Sequence, residues 1–241
     1  MAGEDEYAVR AYRAVMEPEG LACYGVAIKE SDLHVCTRTD LSERAMESLA
    51  SRRRELEDYL GGHPSFGTSF RPMPVVSGAP GIVMDMGKAA EAFDVGPMAC
   101  VAGAIAQHVG TDLLRHSGEV IVENGGDIFL AGGGRRKVRV FAGGSSPLVH
   151  ITVEDRPEGV GLCTSSATVG PSVSLGTADA VTVLAPTATL ADAAATALGN
   201  MVFAAEDIEG ALRAAAGFGD VLGAIIVAGG SVGAWGEVEL G

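Results

Sequence analysis

The stretch VENGGDIFL, residues 122–130, places a polar corner between two apolar segments. The preceding residues EVIVEN (119–124) and the apolar residues after Asp127 both have the composition of buried strands. A pair of glycines between two strands is a hairpin signal. The stretch therefore predicts two paired strands, with Glu123, Asn124 and Asp127 at the rim of a sheet.

This polar corner has two interpretations. It can be a hairpin turn with no further role. Alternatively, Gly125 and Gly126 leave bare backbone N–H groups that let the polar or phosphate portion of a ligand approach the main chain closely. The residues themselves leave both interpretations open.

Length and composition indicate a globular chain. Its 241 residues are enough to bury a sizeable core, and 47% of them are hydrophobic while 20% are charged. Aromatic residues make up only 5% and there are 34 glycines, so we expect a core of small aliphatic side chains with closely packed backbones. No linker is long enough to demand separate domains, which predicts a single domain over residues 1–241.

The net charge and the hydropathy pattern argue against nucleic acid and membrane as partners. The net charge of −14 argues against nucleic acid, whose phosphates need clustered lysine and arginine. No apolar window is long enough for a membrane span without interruption, and the charged first residues offer no apolar leader segment. We therefore expect no membrane partner and a cytoplasmic protein.

The four cysteines are far apart in the sequence. Cys23, Cys36, Cys100 and Cys163 form no CxxC pair, and no two of the five histidines have the spacing of metal ligands. Their mostly apolar surroundings predict reduced, buried thiols.

The order of predicted elements favours an α+β fold. Strands followed by paired helices occur in the first part of the chain and again at its end, with many hairpin signals, which is not the pattern of a doubly wound parallel sheet. Single strands are predicted at 7–16 and 148–155, a strand pair joined by a turn at 21–37, two strands within 118–144, two strands separated by a Ser/Thr/Gly loop within 159–186, and a hairpin at 221–240. The main predicted helices lie at 40–62, 97–117, 187–203 and 207–219.

Asp192 and Thr196 are four residues apart in the predicted Ala-rich helix, so they share one face. A carboxylate and a hydroxyl stacked in this way, with a nearby backbone carbonyl, supply the hard oxygen ligands that Mg²⁺ prefers. The alternative is that the aspartate only complements the helix dipole in a first turn and the threonine is tolerated there.

Two further polar stretches are candidate sites. The hydroxyl-rich stretch CTSSATVGPS (163–172) can bind phosphate through Thr164, Ser165 and Ser166, or can be a polar surface loop. Cys163 has no basic neighbour in the sequence, so we do not interpret it as a nucleophile. Asp94, before Val-Gly-Pro, is a candidate N-cap or ligand group at the start of a buried helix.

Four patches occur together in one order: DVGPMACVAGAIA, VENGGDIFL, CTSS and ADAVTVLAPTATLADAAATALGN. In that order the chain resembles, over nearly its whole length, an uncharacterised prokaryotic family related to the ApbE flavin transferases. The resemblance implies an α+β, T-fold-related domain in which antiparallel sheets are flanked by helices.

ApbE enzymes cleave FAD in a Mg²⁺-dependent step and transfer FMN to a threonine of a target protein. The resemblance implies a metal site at Asp192, Thr196 and a backbone carbonyl at or next to Pro97. It implies a flavin nucleotide near the corner and the hydroxyl stretch, and it suggests an acceptor protein. Separately, the Gly- and Ala-rich composition is compatible with a homodimer. The implied nucleotide-binding residues are Asn124, Gly125, Gly126, Asp127, Thr164, Ser165 and Ser166.

The sequence also departs from the transferases. Cys100 and Val101 stand where transferases commonly have a Lys-Gly pair, and the segment VGPSVSLGTAD (169–179) has no histidine where they carry a reactive one. These departures leave two functions open. One is a Mg²⁺-dependent FMN transferase or FAD pyrophosphatase, and the other is a flavin-binding protein that has lost the reactive groups.

Overall fold

The computed structural model describes residues 18, 20–140, 149–167 and 175–240. The strand predicted at 7–16 lies outside the described residues. So do residues 168–174, which belong to the predicted Ser/Thr/Gly loop. Strands pair in the antiparallel sense in two sheets, and helices pack against the larger sheet. The predicted α+β class is confirmed.

The described residues form eleven strands. They are β1 (Ala22–Ile28), β2 (Ser31–Thr37), β3 (Val120–Asn124), β4 (Asp127–Ala131), β5 (Arg135–Val140), β6 (Val149–Glu154), β7 (Val160–Ser165), β8 (Ala180–Ala185), β9 (Gly223–Ala228), β10 (Ser231–Gly236) and β11 (Glu239–Leu240). The large sheet has the order β1-β2-β3-β4-β7-β8-β9-β10, and the small sheet has the order β11-β6-β5.

The described residues also form six α-helices. They are α1 (Ser42–Gly62), α2 (Pro64–Thr68), α3 (Gly81–Phe93), α4 (Val101–Leu114), α5 (Ala188–Gly199) and α6 (Ile208–Gly217). A 3₁₀ turn, Pro97–Cys100, leads into α4 and has Pro97 at its first position, as predicted for a residue that lacks an N–H. Among the described residues no single helix is long and apolar enough to cross a membrane, and α3 with the segment Pro97–Leu114 meets that test only as a pair bent by 107°.

The central strands of the large sheet are buried on both faces. Because side chains alternate along a strand, Val122 and Phe129 pack against the helices, whereas Ile121 and Leu130 pack against the small sheet. The molecule therefore has three layers: helices, an eight-stranded sheet and a three-stranded sheet. This explains why the central strands are apolar runs without a polar face.

The sequence predicts two strands in the segment 118–144, and the described part of it, 118–140, forms three. Gly132 and Gly133 adopt positive φ angles of 151° and 78° between β4 and β5. This turn takes the chain out of the large sheet and into the small one. The alternating charged pattern RRKVRV of β5 suits the half-exposed small sheet.

The prediction of four reduced cysteines is wrong for two of them. Cys23 and Cys36 are directly opposite each other in the β1–β2 hairpin and form a disulfide. Directly opposite residues of an antiparallel pair point to the same face, so the register brings together two cysteines that are 13 residues apart in the sequence. Cys100 and Cys163 are buried and free, as predicted.

Close packing of α5 on the large sheet depends on Gly161 in β7. A Cβ atom added at Gly161 would lie 2.2 Å from Cα of Ala188, which is backbone and cannot turn aside. The Ala-rich helix therefore lies almost directly on the strand. This is how a core with few aromatic residues reaches close packing.

We predict that Gly161→Ala destabilises the protein by about 1–3 kcal/mol, because α5 must move away from β7. Gly210→Ala is the matched control, since nothing lies within 4 Å of a Cβ at this helical position. The control should raise stability by about 0.5–1 kcal/mol. Urea unfolding of the three proteins measures both effects, and equal midpoints for Gly161→Ala and the wild type would contradict the packing account.

Candidate functional site

Three parts of the fold meet at one end of the helix-facing side of the large sheet: the β3–β4 corner, the start of α4, and α5. Asn124 and Asp127 are direct partners across the hairpin. They alternate in step with Val122 and Phe129, so their side chains point toward the helices. The corner thus supplies an amide and a carboxylate to the space beneath α4 and α5.

The corner has the backbone of a tight hairpin. Gly125 and Gly126 have φ angles of 68° and 107°, a pair of positive values that favours glycine at both positions. A Cβ at either position would meet nothing within 4 Å, so open space lies beside the turn. The N–H of Gly126 donates to Oε1 of Glu123 at 2.8 Å. The turn chemistry therefore explains the glycines and Glu123, while the space beside them is accessible to a ligand.

Helices α4 and α5 run side by side in opposite directions. The side-chain amide oxygen of Gln107 accepts the N–H of Ala188 at 2.7 Å, and the N–H of Gly103 donates to Oδ2 of Asp192 at 2.9 Å. A Cβ at Gly103 would lie 2.3 Å from the carbonyl oxygen of Ala188, so a glycine is needed for this approach. Asp192 is one helical turn beyond Ala188 in α5 and lies at the seam between the two helices.

Asp192 and Thr196 lie on the same face of α5, as the spacing predicts. The hydroxyl of Thr196 donates to the carbonyl oxygen of Ala99 at 3.3 Å. Asp192 is in the second turn of the helix, whereas the N-cap is Thr187, whose hydroxyl accepts the N–H of Leu190. The alternative that placed Asp192 in a first helical turn is therefore wrong.

The backbone carbonyl beside Thr196 belongs to Ala99, two residues beyond Pro97. The carbonyl of Pro97 itself accepts the Cys100 thiol at 3.2 Å. Both carbonyls belong to the 3₁₀ turn that precedes α4. Asn124 joins the same region, because its side-chain amide donates to the carbonyl of Ala102 at 3.1 Å.

Asp127 and Asp192 are buried carboxylates, with 7% and 8% of their surfaces exposed. Burial raises the pKa of Asp127 to about 7, with the Glu123 charge acting in the same direction and hydrogen bonds from Cys163 and the Thr164 N–H opposing it. Burial raises the pKa of Asp192 well above its usual range, and the charge of Asp127 raises it further. The two groups thus resist ionising together, and a cation between them would favour their ionised forms.

The hydroxyl stretch divides between the two faces of the sheet. The hydroxyl of Thr164 pairs with that of Thr182 at 2.9 Å, while its backbone N–H donates to Oδ1 of Asp127 at 3.3 Å. Ser165 is buried, and the hydroxyl of Ser166 donates to the carbonyl of Asp179 at 2.6 Å. Thr164 therefore reaches the site through its backbone.

Two thiols that the sequence did not assign to the site lie beside the carboxylates. The Cys163 thiol donates to the carbonyl of Ala188 at 3.3 Å. Burial raises the pKa of Cys100 and of Cys163 well above the usual range, and the charges of Asp127 and Asp192 raise both further. Both shifts favour the protonated thiol, and the absence of a nucleophilic role for Cys163 remains a prediction. The alternation of β7 was the available signal, since it turns Cys163 toward the helices.

Asp94 is not the N-cap that the sequence suggested. It ends α3 in the left-handed conformation with a φ angle of 52°, and Gly96 precedes the 3₁₀ turn instead. Its exposed carboxylate accepts a hydrogen bond from Arg71 at 2.8 Å. Asp94 therefore belongs to a surface ion pair.

The donor atoms at the α4–α5 seam are hard oxygens. They comprise the second carboxylate oxygen of Asp192, the hydroxyl of Thr196 and the main-chain carbonyls of the 3₁₀ turn, with the Asp127 carboxylate within electrostatic reach. Such a set suits Mg²⁺ better than a thiophilic ion, because the neighbouring thiols are protonated. The residues present therefore fit a hydrated magnesium ion.

Comparison with known proteins places this arrangement in a family. A family model described as AbpE bacteria matches residues 13–223. A UPF0280 protein of Methanosarcina barkeri is 38% identical over 199 residues, which is 81% of this chain and 79% of the relative. A UPF0280 protein of Methanosphaerula palustris is 41% identical over 201 residues, covering 81% of this chain and 82% of the relative.

Solved structures agree on the fold. The flavin transferase ApbE from Vibrio cholerae superimposes with a TM-score of 0.61 at 12% identity, covering 90% of this chain and 97% of that one. The ApbE protein from Thermotoga maritima gives a TM-score of 0.56 at 13% identity, covering 88% and 96%. The resemblance deduced from the four patches is thereby confirmed at the level of family and fold.

We predict that the metal-free protein loses stability as the pH rises through 7. Between the unfolded value of 3.8 and about 7, the folded state holds the Asp127 proton that the unfolded state has released. Stability therefore falls across this interval, by on the order of a few kcal/mol. Asp127→Asn should remove this contribution to the pH dependence of the unfolding free energy, because asparagine has no proton to release.

Urea unfolding with a chelator at pH 5 and pH 8 measures the effect. Asp58→Asn, which removes an exposed carboxylate on α1, is the matched control and should keep the wild-type slope. An Asp127→Asn slope identical to that of the wild type would contradict the account of this buried carboxylate.

Proposed function

The chain belongs to the AbpE bacteria family, and from that premise we propose that it binds a flavin nucleotide together with Mg²⁺ beneath α4 and α5. One observation carries the proposal. A buried carboxylate, Asp192, lies one helical turn from the hydroxyl of Thr196, and a second buried carboxylate, Asp127, faces the same space. Buried carboxylates of this kind stay ionised only when a compensating charge is bound beside them.

In this proposal each element has one task. Asp192, Thr196 and a carbonyl of the Pro97–Cys100 turn hold the metal. When bound, Mg²⁺ neutralises the charge of a pyrophosphate. Gly125 and Gly126 let the nucleotide reach the main chain, and Asn124 fixes the corner against α4 through its bond to Ala102.

Catalysis is one form of the proposal. The chain would then cleave FAD and transfer FMN to a hydroxyl of an acceptor protein, or to water. Asp127 is the second carboxylate that faces this space, and in its ionised form it would accept the proton of the attacking hydroxyl. Support for this form comes from the fold shared with the ApbE flavin transferase of Vibrio cholerae.

Binding without turnover is the second form, and the histidines favour it. All five lie among the described residues. His63 contacts Tyr59, His108 contacts Asp85 and His116 contacts Arg44, while His34 lies beside Cys36 on the other face of the sheet and His150 is exposed on β6. A reactive histidine beside the carboxylates is therefore missing from the described contacts. A protein of this form would hold the flavin nucleotide intact.

We predict that the wild type binds FAD only when Mg²⁺ is present, and that Asp192→Asn and Thr196→Val each weaken this binding by at least about tenfold. The isosteric changes remove a metal ligand and keep the shape of the seam. Calorimetric titration with FAD, FMN and AMP, with and without Mg²⁺, measures the affinities. Asp58→Asn is the control and should bind as the wild type does.

Mass analysis of the mixtures then separates the two forms. Release of AMP and FMN supports the enzyme, and intact FAD supports the binding protein. If no flavin nucleotide binds in the presence of Mg²⁺, while circular dichroism shows a folded chain, the proposal fails.

A further inference from the structure

The opposite face of the large sheet carries a second cluster of ligand groups. Cys23 on β1 and Cys36 on β2 are joined, and Nε2 of His34 lies 3.6 Å from Sγ of Cys36. The two sulfur atoms and a ring nitrogen of His34 all lie within 4.8 Å of one another. Sulfur and imidazole nitrogen are the ligands of thiophilic ions, not of Mg²⁺.

Strand register explains why these side chains converge. His34 and Cys36 are two residues apart on β2, so they share a face. Cys23 is directly opposite Cys36, and Gly25 is directly opposite His34. Because Gly25 has no side chain, the imidazole has room on this face to approach the two sulfurs.

We propose that Cys23, His34 and Cys36 form a zinc site when the disulfide is reduced. A dithiol reductant supplies two electrons and two protons, which convert the disulfide to two thiols while the reductant becomes a disulfide. Binding of Zn²⁺ then displaces the two thiol protons, and both thiolates and the imidazole coordinate the ion. Ligands of one tetrahedral zinc lie roughly 3–4 Å apart, so only a small separation of the sulfurs is needed.

Three protein ligands leave one position for water or an exogenous ligand. Cys36 is buried and Cys23 and His34 are partly exposed, so an ion has access from one side. Exchange with a small-molecule disulfide takes the two electrons of the thiolates, which releases Zn²⁺, joins the two sulfurs and leaves the small molecule as a dithiol. Zinc occupancy and the disulfide are therefore mutually exclusive states of one hairpin.

Glu123 is placed to accept a hydrogen bond from the ring of His34. It is directly opposite His34 on β3, on the same face. Histidine ligands commonly donate their other ring N–H to a carboxylate. Glu123 also accepts the N–H of Gly126, so the cluster and the corner share one buried side chain.

The test is a zinc titration of the purified full chain, reduced and kept under anaerobic conditions. Excess Mg²⁺ is present to occupy the proposed magnesium site at Asp192 and Thr196. We expect one Zn²⁺ per reduced chain by competition with a chelating indicator, and none for the disulfide form. Co²⁺ should give thiolate charge-transfer absorption. Cys23→Ser, Cys36→Ser and His34→Ala should each weaken zinc binding by at least about tenfold.

Two controls separate this cluster from the candidate flavin site. Cys100→Ala removes a buried thiol outside the cluster, and Asp192→Asn removes an oxygen ligand of the other site. Both should keep wild-type zinc affinity, and circular dichroism checks that every variant is folded. The proposal is overturned if the reduced wild type takes up no zinc, or if the three cluster variants bind zinc as tightly as the wild type.

Discussion

The burial of two carboxylates in one space is the constraint on which the rest of the site depends. Asp127 comes from the sheet and Asp192 from a helix. Burial raises the pKa of both, and the charge of Asp127 raises the pKa of Asp192 further. Each carboxylate accepts one main-chain N–H, from Thr164 and Gly103 respectively, but a neutral side-chain amide would accept the same bonds without the cost of burying a charge. A structural role alone therefore accounts poorly for this pair, whereas a bound cation accounts for it directly.

Small residues make that arrangement sterically feasible. Gly103 lets α4 approach Asp192 closely enough for its N–H to donate, and Gly161 lets α5 lie on β7. The helix N–H, the threonine hydroxyl and the carbonyls of the 3₁₀ turn then converge at the end of the sheet. The high glycine content is thus linked to the site as well as to the turns.

Much of the fold could be predicted from the sequence, because it depends on local patterns. The hairpin at Gly125–Gly126, the shared face of Asp192 and Thr196, and Pro97 at the start of its turn all follow from spacing or backbone preference. What could not be predicted depends on tertiary register. The disulfide arises because β1 and β2 pair Cys23 with Cys36, and the thiols join the site because β7 turns Cys163 toward the helices. Asp94 was misjudged because its partner, Arg71, is distant in the sequence.

The account rests on a cation held by Asp192 and Thr196 near Asp127, and the most direct test is the unfolding midpoint as a function of Mg²⁺ concentration at pH 8. An ion that binds only the folded state raises stability by RT ln(1 + [Mg²⁺]/Kd), so the wild-type midpoint should rise continuously with the logarithm of concentration above Kd. Asp192→Asn should show a flat response over the same range. A wild-type midpoint that does not change with Mg²⁺, or one that rises equally in Asp192→Asn, would contradict the metal site.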